Sequence, residues 1–198
     1  MIRAVIFDLN GVFIKSPKLS VRFYEKFGVG EEKFWPALKE IMAKVRMPKA
    51  GDAFSYFKPH FDDWNIALTR KQFFDFWFSA EKKVPEMIAI AKKLKEKRIK
   101  LFILSNNFAE RANYYNKEFG ELFKLFDGIY FSFQMGFVKP NTRAFENILS
   151  KNKLRPEECL YFDDSIENVE AAKRLGIAAF VFEGSHKTAD VLKKYSLM

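Results

Sequence analysis

The sequence predicts an α/β protein: a mostly parallel sheet with helices on both faces, plus a small α-helical insertion. Short apolar runs recur at Ile2–Asp8, Ile99–Leu104, Leu160–Phe162 and Ile177–Phe182, with no alternation of apolar and polar residues. Such runs suit strands covered on both faces. Segments with apolar residues at helical spacing separate them, and strand–helix alternation implies right-handed crossovers. One stretch, from about Ser16 to Lys83, breaks the alternation: it lacks β-branched runs and is dense in aromatics at helical spacing.

The first strand delivers Asp8 to its end, with Asn10 two residues on. The aromatic stretch follows, carrying Phe23, Tyr24, Phe27, Phe34, Trp35, Phe73, Phe74, Trp77 and Phe78, which read as core rather than a ligand cage. Pro36, Pro48, Gly51 and Pro59 are expected to divide it into short helices. Pro85 suits the first turn of an amphipathic helix over 85–97. The strand Ile99–Leu104 ends in Ser105-Asn106-Asn107, and helical residues follow to about Phe119. A strand near Ile129–Ser132, a loop Gly136–Pro140 containing Lys139, and a helix from about Thr142 to Lys151 come next. Leu160–Phe162 ends in Asp163-Asp164-Ser165, and the helix from Ile166 to about Leu175 stops at Gly176, which suits a left-handed cap. Ile177–Phe182 is the last strand.

Composition narrows the functional classes. A chain of 198 residues can hold one good core, or a core domain plus a smaller insertion, and 24 phenylalanines foretell Phe-rich packing. No apolar run approaches the roughly 20 residues that span a bilayer, so no membrane segment is expected. The start, Met-Ile-Arg-Ala-Val-Ile-Phe-Asp, turns acidic too soon for a secretory signal. The single cysteine, Cys159, excludes an intramolecular disulfide and leads into an apolar run, so a buried structural thiol in a cytoplasmic protein is expected. A net charge of +9 favours anionic partners. The densest basic stretch, Lys92 to Lys100, has Ala91 and Leu94 on its apolar side; it reads as a solvated helix face, and no nucleic acid is expected.

Four strand or loop ends carry polar groups: Asp8 with Asn10, Ser105 with Asn106, Lys139, and Asp163 with Asp164. Taken singly, each could be a turn or helix cap. Parallel strands bring their carboxyl ends to one edge, where these groups can converge. Carboxylates suit magnesium, lysine offsets phosphoryl charge, and hydroxyl or amide groups bind phosphate oxygens. His60 and His186 sit at no such strand end and read as surface or structural residues.

The arrangement resembles the haloacid dehalogenase superfamily, across nearly the whole chain. Asp8-Leu9-Asn10-Gly11-Val12, Leu104-Ser105-Asn106, Val138-Lys139-Pro140 and the run Phe162-Asp163-Asp164-Ser165 through Ala172 look like its four motifs in order. The resemblance implies a Rossmann-like core over 1–15 and 84–198, with a helical cap over 16–83 between motifs one and two. It implies that Asp8 is the nucleophile, and that magnesium is held by Asp8, the backbone carbonyl of Asn10 and Asp164. Asp163 would be a further ligand or act through water. Ser105 and Asn106 would hold phosphate oxygens, Lys139 would steady Asp8 and phosphate, and the Gly11 amide would face the phosphate unless Gly11 serves only a tight turn.

Asn10 departs from the aspartate that phosphatases of this family usually carry as general acid and base. An amide cannot exchange a proton near neutral pH. Losing such a relay is worth about 10²–10⁴ in rate. Three readings stay open: a magnesium-dependent phosphatase of a small phosphorylated metabolite, working as a monomer or homodimer; an impaired relative that binds phosphate ligands or a protein; and a dehalogenase. The acidic pair Asp163 and Asp164 argues against the last.

Overall fold

A computed structural model describes residues 1–198. Five parallel strands form the main sheet: β1 (Ala4–Phe7), β4 (Lys100–Ser105), β5 (Gly128–Phe131), β6 (Cys159–Asp163) and β7 (Ala178–Val181), in the order β5-β4-β1-β6-β7. Two short strands, β2 (Ile14–Lys15) and β3 (Lys82–Lys83), pair antiparallel. Between them lie α1 (Leu19–Phe27), α2 (Glu31–Val45), α3 (Ala53–Asp63) and α4 (Arg70–Phe78), so the β2–β3 ladder ties together the two ends of this helical segment. The remaining helices are α5 (Pro85–Glu96), α6 (Ala109–Glu118), α7 (Gly120–Phe123), α8 (Ser132–Met135), α9 (Thr142–Asn152), α10 (Ile166–Arg174) and α11 (Ser185–Lys194). No helix is long and apolar enough to cross a membrane.

Strand alternation divides the core. Val5, Phe7, Leu101, Ile103, Leu160 and Phe162 face Met87, Ile90 and Leu94 of α5 and Leu192 of α11. Ala4, Ile6, Phe102, Leu104, Cys159 and Tyr161 face Phe145 and Ile148 of α9 and Ala171 and Ala172 of α10. Both faces are thus dry, as the unalternating apolar runs require. Cys159 is buried, and burial pushes its thiol up to about 12, which keeps it inert.

The helical segment has its own core of Phe23, Phe34, Phe57, Phe61, Phe73, Phe74, Trp77 and Phe78, joined by Phe108 from the main domain. The rings of Phe57 and Phe73 lie 4.9 Å apart and those of Trp77 and Phe108 5.2 Å, within the range where aromatic pairs attract. Two expectations are corrected here. Pro36 and Pro59 do not end helices; they lie inside α2 and α3. Burial of Phe34, Ala37, Ile41 and Val45 along α2, and of Phe57 and Phe61 along α3, outweighs one missing backbone hydrogen bond in each. Tyr24 and Trp35 are not core but exposed, at 62% and 37%.

The short helices α7 and α8 and the terminal α11 were not foreseen. Helix α10 ends where expected, with Gly176 at φ +88°.

Candidate active site

Chain order decides where a site can form. From central β1 the chain moves outward through β4 to β5, then returns across β1 to β6 and β7. Loops after β1 and β6 therefore leave toward opposite sides, which opens a crevice at their carboxyl ends. The register sets Phe7 level with Ile103 and Phe162, and the Asp8 amide extends the pairing by donating to the Phe162 carbonyl at 2.9 Å. Asp8 consequently lies beside Asp163.

Lys139 arrives from 131 residues away. Its ammonium donates to Asp8 Oδ1 at 2.8 Å and to Asp163 Oδ2 at 2.6 Å, with all three residues buried. Burial disfavours the charged lysine, yet the two carboxylates outweigh it and hold Lys139 above its ordinary value. Burial drives the Asp8 carboxyl up to about 6; Lys139 opposes the shift, and Asp163 and Asp164 add to it. Asp163 goes the other way. Lys139, the Tyr161 hydroxyl, the Ser165 amide and Asn168 Nδ2 all donate to it, and together they overcome burial and keep it ionised.

Asp164 is the exposed member of the three acids; partial desolvation of its carboxyl and the nearby charge of Asp163 raise its pKa, and Lys139 opposes them. Oxygens of Asp8, Asp163 and Asp164 lie within 4.8 Å of one another. Three hard carboxylates facing one lysine leave a negative surplus that a divalent cation would relieve, so this donor set fits magnesium.

Gly11 shapes the approach. Its φ is +88°, and a Cβ built there would lie 2.2 Å from Asp164 Oδ2. Gly11→Ala is expected to displace Asp164 and to cost about 1–2 kcal/mol of backbone strain. That corresponds to a melting temperature lower by roughly 2–8 °C, together with weaker cation binding by calorimetry. An unchanged melting temperature would contradict this geometry.

Sequence-derived roles fare unevenly. Asp8, Asn10, Gly11, Ser105, Asn106, Lys139, Asp163 and Asp164 all line one cavity of about 560 Å³. Two of them are engaged in hydrogen bonds within the protein. The Gly11 amide donates to the Ile14 carbonyl at 2.8 Å, which is the tight turn given above as the alternative to a phosphate contact. The Asn106 side chain clamps the Lys139 backbone, donating to its carbonyl at 2.9 Å and accepting from its amide at 2.8 Å. Asn106 therefore positions Lys139. Ser105 Oγ is buried without a partner and remains available to an anion. Asn10 Nδ2 donates to the Tyr115 hydroxyl at 2.6 Å, while its Oδ1 is buried and unpartnered.

Sequence reasoning missed Asn168, Arg46 and Arg111, which line the same cavity. Asn168 had a legible signal, in the first turn of α10 just after the acidic pair. Arg46 and Arg111 had none. His60 stacks on Trp64 at 5.5 Å and His186 is exposed; neither lines the cavity.

Fold and cavity together define an α/β protein with an acid–lysine centre at the switch point of a parallel sheet. The profile of haloacid dehalogenase-like hydrolases matches residues 2–176, and the chain belongs to that family. It is 28% identical over 196 residues to mouse acyl-CoA dehydrogenase family member 10, covering 88% of this chain but only 17% of that protein. Similarity to the phosphorylated carbohydrates phosphatase of Thermotoga maritima is 27% over 191 residues, covering 88% of this chain and 82% of that one. Among solved structures, a family enzyme from Bacteroides thetaiotaomicron superposes with a TM-score of 0.81 at 23% identity, covering 94% of this chain and 98% of that one. The same enzyme has been solved in complex with magnesium and inorganic phosphate, and that form superposes with a TM-score of 0.76.

Proposed function

We propose that this protein is a magnesium-dependent phosphatase of small phosphorylated metabolites that works through an aspartyl-phosphate on Asp8. The observation that carries the reading is the Asp8 carboxylate paired to Lys139 beside the Asp163–Asp164 pair. Phosphatases among the curated relatives support it, as does the magnesium–phosphate complex of the Bacteroides enzyme. Asp164, a carboxylate with no cation partner of its own, favours this chemistry over dehalogenation.

Asp8 attacks phosphorus, an Asp8–phosphorus bond forms, and the bond to the leaving oxygen breaks. Lys139 holds Asp8 in position and offsets charge on the phosphoryl oxygens, while the free Ser105 hydroxyl donates to one of them. A magnesium ion held by Asp8, the backbone carbonyl of Asn10 and Asp164, with Asp163 as a further ligand or acting through water, would supply further neutralisation of that charge. Water then attacks phosphorus, releasing inorganic phosphate and the Asp8 carboxylate. Asn10 can orient a leaving group or a water through its unpartnered Oδ1, but it transfers no proton. Good leaving groups, such as acyl and anomeric phosphates, are therefore the suitable substrates. The helices α1–α4, tethered by β2 and β3, act as the cap over this site, and the buried Cys159 accords with a cytoplasmic setting.

A second reading, a ligand-binding relative with little turnover, draws support from the Asn10–Tyr115 hydrogen bond, which places an amide where a proton relay is needed. A panel of phosphate esters assayed with magnesium separates the two. Asn10→Asp is expected to raise turnover of alkyl phosphates by about 10²–10⁴-fold. The Tyr115 hydroxyl can donate to the new carboxylate, so the local hydrogen bond survives. An inert native chain with an active Asn10→Asp variant would establish the second reading; inertness of both would reject the phosphatase assignment.

A further inference from the structure

The helical segment contributes one charged group to the cavity, and the chemistry proposed above does not use it. Arg46 follows the last residue of α2, and its guanidinium reaches the cavity that Asp8 and Lys139 line. Its Nε is buried and has no hydrogen-bond partner. Burial and then the like charge of Arg111 press its pKa down, and the carboxylate of Asp8 opposes them. Arg111 differs: its Nε and Nη2 lie 2.8 and 2.6 Å from Glu81 Oε1, and Glu81 is itself buried. Glu81 thus holds Arg111 by one edge.

A half-buried guanidinium whose Nε is buried and unpartnered, set near a second one and with no carboxylate of its own, is costly unless a ligand supplies the anion. In the phosphatase reading Lys139 and Ser105 serve the phosphate at Asp8, and neither belongs to the helical segment, which leaves Arg46 unassigned. We infer that Arg46 and Arg111 form a second anion subsite, so that the substrate carries a carboxylate or a second phosphate on its leaving-group side. Resting on the phosphatase reading, this narrows the substrate class to phosphorylated acids or bisphosphates rather than phosphorylated neutral alcohols. A planar guanidinium suits a carboxylate or phosphate by paired N–H donors.

Matched ligands test this. With magnesium present, dissociation constants are measured by calorimetry for 3-phosphoglycerate, glycerol 3-phosphate and 1,3-propanediol bisphosphate, using the Asp8→Asn chain to prevent turnover. The first two differ only by carboxylate against hydroxymethyl. The dianionic-tail or carboxylate ligands should bind about tenfold to a hundredfold tighter than glycerol 3-phosphate. Which of the two leads distinguishes a carboxylate from a second phosphate as the natural group. Arg46→Ala should collapse the preference toward unity, and Arg46→Lys should retain part of it, which guards against a folding defect in the alanine variant. Equal binding of all three ligands overturns the subsite. So does an Arg46→Ala loss that is the same for every ligand and for inorganic phosphate, since Arg46 would then serve the reacting phosphate. Hydrolysis by the native chain is scored separately, so a failed phosphatase assignment and a failed subsite give different results.

Discussion

Asp8→Asn is expected to abolish phosphate-ester hydrolysis, by at least about 10⁴-fold, because nucleophiles that act as part of a unit take most of the rate with them when removed. The same substitution should stabilise the metal-free protein. Burial and two neighbouring carboxylates raise the Asp8 pKa to about 6, from an ordinary value of 3.8, so its ionised form is disfavoured in the folded state. An acid with a raised folded pKa binds protons more readily in the native state. Its unfavourable contribution therefore grows as pH rises from about 4 to 6 and is fully present above that. With a chelator at pH 7.5, Asp8→Asn should be more stable than the native chain by ~1–3 kcal/mol, and the difference should shrink toward pH 4. Thermal melts at the two pH values check the sign. Residual hydrolysis at native rates would refute Asp8 as nucleophile, and a lower melting temperature for the variant at pH 7.5 would refute the electrostatic account.

Lys139→Ala is expected to cost about 3–5 kcal/mol of stability, the range found when one partner of a buried ion pair is removed. The loss strands two carboxylates, because Lys139 serves Asp8 and Asp163 at once from a site that is 4% exposed. For a chain of this size the melting temperature should fall by roughly 6–20 °C, and hydrolysis should be lost with it. Urea titration gives the free energy directly. A change below about 1 kcal/mol would mean that water or a neighbouring group replaces the ammonium, and that the pair is not buried as described. Asn106 predicts the related behaviour at a distance, since it holds Lys139 only by the backbone.

Much of the site could be read from the chain because polar residues closing an apolar run announce themselves. Asp8, Ser105 and Asp163 each follow several buried residues of one strand, and parallel alternation sends all three ends to one edge. Helix α11 was invisible for the converse reason: its sequence, Ser-His-Lys-Thr-Ala-Asp-Val-Leu-Lys-Lys, buries only Thr188 and Leu192 and so carries a thin apolar stripe. Pro36 and Pro59 misled because local propensity is a weak term beside a buried aromatic face. Tyr24 and Trp35 have neighbours as aromatic as themselves, and nothing within a few residues says which ring meets water.

The amino-acid sequence by itself determined the strand–helix alternation, the convergence of four polar strand and loop ends, and the amide at position 10. These rest on burial periodicity and on the chemistry of single side chains, which a few neighbouring residues encode. Only the tertiary structure decided what each group is bonded to. Asn106 grips the Lys139 backbone, the Gly11 amide is consumed by its own turn, Asn10 donates to Tyr115, and Arg46 reaches the cavity unpaired. Except within the Gly11 turn, those partners lie tens to more than a hundred residues away along the chain. A hydrogen bond depends on ångström-scale proximity, and only the packed sheet and its helices set that distance.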